Sequence, residues 1–378
     1  MTGGRDESAR AFALIAGGGT GGHVYPALAV ADELVRRGHS RASVRFVGAR
    51  RGLEATAVPD AGYEIELLPG RGLRRSLSPR AVVANVGAVL GLVGACFRAF
   101  RIMGRRRPRV VLGVGGFASA AGVLAARLRR IPAVVHEQNA APGVVNRLAV
   151  RLGARAAVSL PDTPLSGAVL TGNPVRREIT AVERAPDTEP LVTIVGGSLG
   201  AKSLNDAALG LYDEWRARPD VRVRHVAGRR DFDRCRARLD ATRTAGDALA
   251  YDLVAYDDDM AHAYARSSVF ACRAGAVTCA ELTATGMPAV LVPLPGAPAD
   301  HQTKNAKALA SVGAAVMLPD AELRPQRLAR ELALLLEDPT HLVEMSRAAR
   351  ALGRSDAAAR VADLVETAAG VRTSEDAT

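Results

Sequence analysis

The chain has 378 residues, enough for two domains or three, and is 48% hydrophobic and 24% charged, the balance of a soluble globular protein with sizeable cores. This excludes disordered, collagen-like and many-span membrane classes, and 4% aromatics argue against a stacking platform for single-stranded nucleic acid. The net charge is +11, but only three of the 50 cations are lysines (Lys202, Lys304, Lys307), so the arginine excess reflects codon composition more than function.

Met1 to Arg10 is polar, without the apolar core of a secretory signal. Phe12–Ala16 reads as a strand, followed by a glycine loop and a helix over Pro26–Arg37; Ser43–Val47 is the next strand. From Arg71 to Arg109 there are ten arginines, and no acidic residue occurs between Glu66 and Glu137. Inside that stretch Ala81–Phe97 is an uncharged apolar run of 17 residues, slightly short for a membrane span and flanked by arginines. It suits the surface of an anionic membrane or a buried core helix. Nucleic acid is disfavoured, because no aromatics interleave the basic residues. Val110–Val114, a helix over Ala118–Arg129 and the strand Ala133–Val135 continue the alternation.

Prolines and glycines then crowd residues 161–190, the mark of an inter-domain link. The pattern restarts with the strand Leu191–Val195, a glycine loop and a helix from Ala201 to about Leu211. Further strands are expected at Val221–Ala227, Ala248–Tyr256, Ser268–Ala271 and Ala289–Val292, and the tail from Leu323 reads as helical, with Thr373–Thr378 disordered. The strand–loop–helix units beginning at Phe12 and Leu191 lie 179 positions apart. The fold class is therefore α/β, with two Rossmann-like domains facing across a cleft and ligands at the carboxyl ends of the strands. The expected division is 1–170, a linker at 171–176, 177–350, and a C-terminal helix with a tail at 351–378 that packs back on the first domain.

Gly17-Gly18-Gly19-Thr20-Gly21-Gly22-His23 joins a strand to a helix start, where glycines admit a ligand to the backbone and free amides attract an anion. The string also fits G-x-G-x-x-G, but Val47-Gly48-Ala49-Arg50-Arg51 supplies arginines where NAD would want an acid, leaving NADP as a rival. His23 is a candidate general base or a phosphate-bonding histidine. Gly113-x-Gly115-Gly116 and His136-Glu137-Gln138-Asn139 each follow a strand, and Glu137 and Asn139 are sugar-hydroxyl candidates. Ser198, before the second domain's first helix, marks a second anion site. Arg273 to Glu281 repeats strand, glycine turn and helix, and Glu281 suits a ribose diol. Asp257-Asp258-Asp259 reads as helix capping rather than a metal cluster, and no metal or cofactor is expected. The four cysteines show no zinc-like spacing and read as buried thiols.

At these residues the chain resembles the MurG family, the UDP-N-acetylglucosamine–lipid I N-acetylglucosaminyltransferases of peptidoglycan synthesis. The likeness runs from about Leu14 to Asn305 through GGGTGGHVYPALAVA, GVGGFASAAG, HEQNAAPGVVNR, GNPVR, GGSLGAKSLN, CRAGAVTCAEL and DHQTKNA, in order. It implies a GT-B fold, work at the cytoplasmic membrane face as a peripheral protein, and inverting transfer of GlcNAc from UDP-GlcNAc to the MurNAc C4 hydroxyl of undecaprenyl-linked lipid I, giving the β-1,4 bond of lipid II. It also implies roles. Thr20, Gly21 and Gly22 lie close to the reacting sugars and the acceptor's diphosphate, with His23 as base; Glu137 is the second candidate catalytic residue. Asn139 contacts the donor sugar, and Arg176 and Ser198 the donor's phosphates. Ala276, Val277, Thr278, Cys279, Ala280 and Glu281 border the nucleotide, and Gln302 and Asn305 contact donor sugar or phosphate. Arg74, Arg75, Arg80, Val89, Leu90, Phe97, Arg98 and Arg101 meet anionic lipid. Other cell-wall synthesis proteins are further expected partners. Leu199 and His301 replace frequent glutamines, and Asp257 stands where an apolar uracil-contacting residue is common, leaving that contact to backbone atoms. The rivals are another nucleotide-sugar transferase of the same fold, an NADP-linked oxidoreductase, and a non-catalytic lipid-diphosphate binding module.

Overall fold

The structure, a computed structural model, describes residues 10–70, 79–197 and 200–371, and for 79–90 the backbone alone. The chain divides into two compact units, residues 1–176 with 355–378, and 177–354. The segment 171–176, expected as a linker, falls inside the first unit.

The first unit alternates β1 (Ala13–Ala16), α1 (Gly21–Arg36), β2 (Val44–Ala49), α2 (Glu54–Asp60), β3 (Ile65–Leu68), α3 (Pro79–Arg106), β4 (Val110–Gly113), α4 (Gly116–Leu128), β5 (Ala133–Glu137), α5 (Val144–Arg151), β6 (Arg155–Val158) and β7 (Val169–Leu170). The sheet is parallel with order β3-β2-β1-β4-β5-β6-β7, the doubly wound arrangement whose order reverses beside β1. Both faces of β1 are buried, which is why it reads as a continuous apolar run. Ala13 and Ile15 join Val24, Leu34 and Leu112 on one face, while Leu14 and Ala16 join Val47, Ala118 and Ala121 on the other.

The apolar run at 81–97 forms part of α3. From residue 91 on, Ala95, Ala99, Ile102 and Met103, at helical spacing, are buried in the same core as residues of α4. The opposite face exposes Val93, Phe97, Arg98 and Arg101. Among the described residues no helix is long and apolar enough to cross a membrane.

The second unit runs α6 (Arg177–Thr180), β8 (Leu191–Val195), α7 (Lys202–Trp215), β9 (Arg222–Val226), α8 (Phe232–Thr242), β10 (Ala250–Val254), α9 (Met260–Arg266), β11 (Val269–Cys272), α10 (Ala276–Thr285), β12 (Ala289–Leu291), α11 (His301–Ala310), β13 (Ala315–Met317), α12 (Pro325–Glu337) and α13 (Pro339–Leu352). Its parallel sheet, β10-β9-β8-β11-β12-β13, repeats the order of the first sheet from β3 to β6. Leu204, Ala208 and Leu211 of α7 and Leu328 and Leu332 of α12 fill one core with Val192 and Ile194 of β8.

The last helix, α14 (Ala357–Ala368), belongs to the first unit. Val361, Ala362 and Val365 complete the core under α1. Arg37 of the α1 C-terminus donates to Asp363 and Glu366, both at 2.7 Å, and His39 bonds Glu366 at 2.9 Å. Burial opposes ionisation of Glu366, but His39 and Arg37 outweigh it and hold the carboxyl below its ordinary range.

Candidate active site

In the first unit β1 delivers the chain into Gly17–Thr20, and α1 begins at Gly21, five residues before the expected Pro26, which lies inside the helix. Two glycine loops pack together there. A Cβ on Gly17 would meet Val114 at 2.2 Å, one on Gly116 would meet the Gly18 oxygen at 2.5 Å, and one on Gly115 would meet the His23 ring at 2.7 Å. Thr20, exposed and extended, caps the helix, and its oxygen accepts from the amides of His23 and Val24. Among the described residues the amides of Gly21 and Gly22, in the first turn, have no partner within the chain. His23 Nδ1 lies 3.1 Å from the Gly18 carbonyl oxygen and 3.5 Å from Thr20 Oγ1. A carbonyl only accepts, so Nδ1 donates to it, and the lone pair of a neutral ring then resides on Nε2.

One residue that the sequence reading did not single out organises this loop. Glu54 accepts from the Gly19 amide at 2.7 Å and the Ala49 amide at 2.8 Å. The signal was present as glycines at 48 and 52 shortly before an acid that follows β2.

β5 runs two residues beyond the expected Ala133–Val135 and takes His136 and Glu137 into the sheet. His136 Nε2 bonds the Gly172 oxygen at 3.0 Å, while Gln138 Nε2 donates to the Val114 oxygen at 2.9 Å. Burial pushes the His136 pKa down to about 4, against the pull of the Gly172 carbonyl and Glu137, so the ring is neutral. Glu137 was expected as a catalytic group. It is 3% exposed, with one oxygen accepting from Asn139 and the other from the Gly143 amide at 2.8 Å and Asn146 Nδ2 at 2.8 Å. Its carboxylate shapes the loop 138–143 and presents the half-buried Asn139. The Arg176 guanidinium, expected at donor phosphates, lies 5.2 Å from the centre of the Tyr25 ring of α1, in the first unit.

In the second unit Gly196, Gly197 and Gly200 lie between β8 and α7; Ser198 falls outside the described residues. Gly200 has φ +80°, and a Cβ there would meet the Ala227 oxygen at 2.2 Å. β11 leads through Arg273–Gly275 into α10, whose first residue is Ala276, with Ala276, Val277, Thr278 and Ala280 half-buried. Arg273 is anchored to Asp320 at 2.6 Å and Ser203 at 2.7 Å. Glu281 is buried and accepts from Tyr264 Oη at 3.0 Å. Cys279 is buried, which pushes its thiol up to about 12, and its amide donates to the Gly275 oxygen at 2.8 Å. Gln302 Oε1 accepts from the Leu294 amide at 2.9 Å, just after Ala299 and Asp300, both in the left-handed region. Holding two such residues in succession costs energy, as at many ligand clamps.

Two further candidate residues are buried. Asn305 is 0% exposed and donates to the Ala274 oxygen at 3.1 Å, bracing the loop that leads into α10. The Asp257 carboxylate is buried and accepts from Arg224 Nε at 2.7 Å and the Asp259 amide at 3.1 Å, so its side chain is not presented to uracil. Asp259 caps α9 through the His262 amide. Among the described residues no group of three His, Cys, Asp or Glu is placed to hold a metal.

On the first unit, α3, α4 and α5 line a shallow apolar groove with Leu92, Cys96, Leu124 and Leu148. Phe97, Arg98 and Arg101 are exposed on α3; Arg74 and Arg75 lie outside the described residues, and of Arg80, Val89 and Leu90 only the backbone is described.

Two family models match in tandem: the glycosyltransferase family 28 N-terminal domain over residues 13–158 and the family 28 C-terminal domain over 191–361. The chain belongs to glycosyltransferase family 28. A UDP-N-acetylglucosamine–N-acetylmuramyl-(pentapeptide) pyrophosphoryl-undecaprenol N-acetylglucosamine transferase of Alkalilimnicola ehrlichii is 46% identical, over 92% of this chain and 96% of the relative. One of the same name from Desulforudis audaxviator is 41% identical over 94% and 98%. Among solved structures, MurG of Acinetobacter baumannii superposes with a TM-score of 0.77 at 32% identity, covering 94% of this chain and 99% of that one. The two matches begin at the first strand of each parallel sheet, β1 at Ala13 and β8 at Leu191.

Proposed function

We propose that this family 28 chain is an inverting glycosyltransferase that moves GlcNAc from UDP-GlcNAc to the C4 hydroxyl of MurNAc in lipid I, giving lipid II. The observation that carries this reading is the 46% identity to the transferase of that name over 92% of the chain, spanning both units. The geometry supports it: each unit delivers a strand through glycines into a helix start, the arrangement that receives a diphosphate. The NADP rival loses ground, because both matched domains are those of a glycosyltransferase family and the Gly19 amide of the G-x-G-x-x-G string is already taken by Glu54.

In this reading the amides at the start of α1 receive the acceptor's diphosphate, and the second unit holds UDP-GlcNAc. The loop before α7 receives the donor diphosphate, and Glu281 with the start of α10 receives the ribose and base. The C4 hydroxyl oxygen attacks the anomeric carbon and bonds to it, the bond from that carbon to the UDP oxygen breaks, and the hydroxyl proton passes to His23 Nε2. Helix-start amides stabilise the charge developing on UDP. The exposed Phe97, Arg98 and Arg101 meet anionic lipid and keep a peripheral protein beside its lipid-linked acceptor at the cytoplasmic face. The test is UDP release from UDP-GlcNAc in a coupled assay. Release that requires lipid I supports the reading; release without it, or none with it, refutes it.

A further inference from the structure

Glu54 takes no part in the steps above, yet its setting is unusual. The residue is 2% exposed, and among the described residues no cation pairs with it. Burying a carboxylate without a counter-ion is costly, and doing so beside a loop that receives an anion is more so. What holds it is a pair of charge-assisted bonds, one oxygen to the Gly19 amide at 2.7 Å and the other to the Ala49 amide at 2.8 Å. Three glycines clear its space. A Cβ on Gly18 or Gly52 would fall 2.0 Å from the carboxyl group, and one on Gly48 2.4 Å from Glu54 Cγ. The bond to Gly19 also removes that amide from any ligand, and fixes a stretch in which Gly18 and Gly19 have φ of +143° and +96°. The neighbouring carbonyl, that of Gly18, is the one that holds His23 Nδ1.

We propose that Glu54 is a positioning residue for the transfer reaction. By tying the first glycine loop to the end of β2 it sets the Gly18 carbonyl, and through it the tautomer and orientation of His23. It leaves the α1 amides, rather than that of Gly19, to the acceptor's diphosphate. The proposal rests on the reading of His23 as the base. A neutral amide of the same size cannot replace Glu54, because its NH2 group would face one of the two backbone amides.

The test compares E54Q and E54D with the wild-type chain by steady-state kinetics, UDP affinity and 15N spectra of labelled histidine. In E54Q, kcat should fall about 10–100-fold while KM for UDP-GlcNAc and UDP affinity stay within about twofold. The His23 ring resonances should leave the Nδ1-protonated pattern for a mixture, and E54D, which keeps two acceptor oxygens, should lie between. A merely structural glutamate would lower thermal stability without moving the ring resonances. Unchanged kcat, or unchanged His23 resonances in a folded variant, overturns the proposal. Should E54Q not fold, E54D decides by the same two readouts, and failure of both to fold overturns it as well. If the wild-type enzyme transfers nothing to lipid I, the functional reading fails while the resonances still decide the role of Glu54.

Discussion

His23 Nδ1 lies 3.1 Å from the carbonyl oxygen of Gly18, five residues earlier in the chain. The bond spans the glycine loop and sets which ring nitrogen carries the proton. A base on Nε2 is thus prepared by backbone geometry.

Replacing His23 by alanine should reduce kcat about 10²- to 10⁴-fold, the usual range for general-base loss. UDP affinity should not change, since that ligand is assigned to the second unit. Turnover near wild type would remove His23 from the mechanism.

Acid should destabilise both units through one buried histidine each. Burial holds His136 and His225 near pKa 4, against an ordinary 6.5, with Arg234 adding repulsion at His225. Both rings are neutral when folded, so the unfolded chain takes up protons first. The histidines' share of the stability is therefore intact above pH 6.5 and is lost as pH falls from 6.5 to 4, below which depressed carboxylates such as Glu366 continue the decline. Melting temperature against pH should show this decline, shallower in H136Q. An equal slope in H136Q would mean that His136 is protonated in the fold.

Asn305→Ala leaves the Ala274 carbonyl without its 3.1 Å donor in a fully buried place. The expected cost is about 1–3 kcal/mol of stability, together with weaker UDP binding as the α10 loop loosens. Unchanged melting and unchanged UDP affinity would show that the brace is dispensable.

Val93 and Phe97 are 65% and 64% exposed, so aspartate at either position should leave the fold intact. Binding to phosphatidylglycerol vesicles should drop in both variants and, in the wild type, fall with salt, each arginine at the surface contributing about 1 kcal/mol. Equal binding to neutral and anionic vesicles would refute the lipid assignment.

Local pattern carried much of this protein, and long-range contact the rest. β1, its glycine loop and the βαβ alternation are legible because an all-buried parallel strand is a continuous apolar run punctuated by glycine. The repeat at Leu191 is legible for the same reason. The start of α1 at Gly21 was not, since glycines that make a helix N-terminus look like loop in the sequence. Glu54 meets Gly19 across 35 positions, and no local periodicity announces such a pair. Glu137 and Asn305 have polar side chains in motifs rich in ligand-type residues, and no local pattern announces their buried bonds to Gly143 and Ala274.

The most direct test of the transfer reaction is the structure of its product. After incubation with UDP-GlcNAc and lipid I, mass spectrometry and proton NMR should show one added N-acetylhexosamine, β-linked to the muramyl C4. UDP formed with free GlcNAc and an unaltered lipid, or an α linkage, would contradict the account.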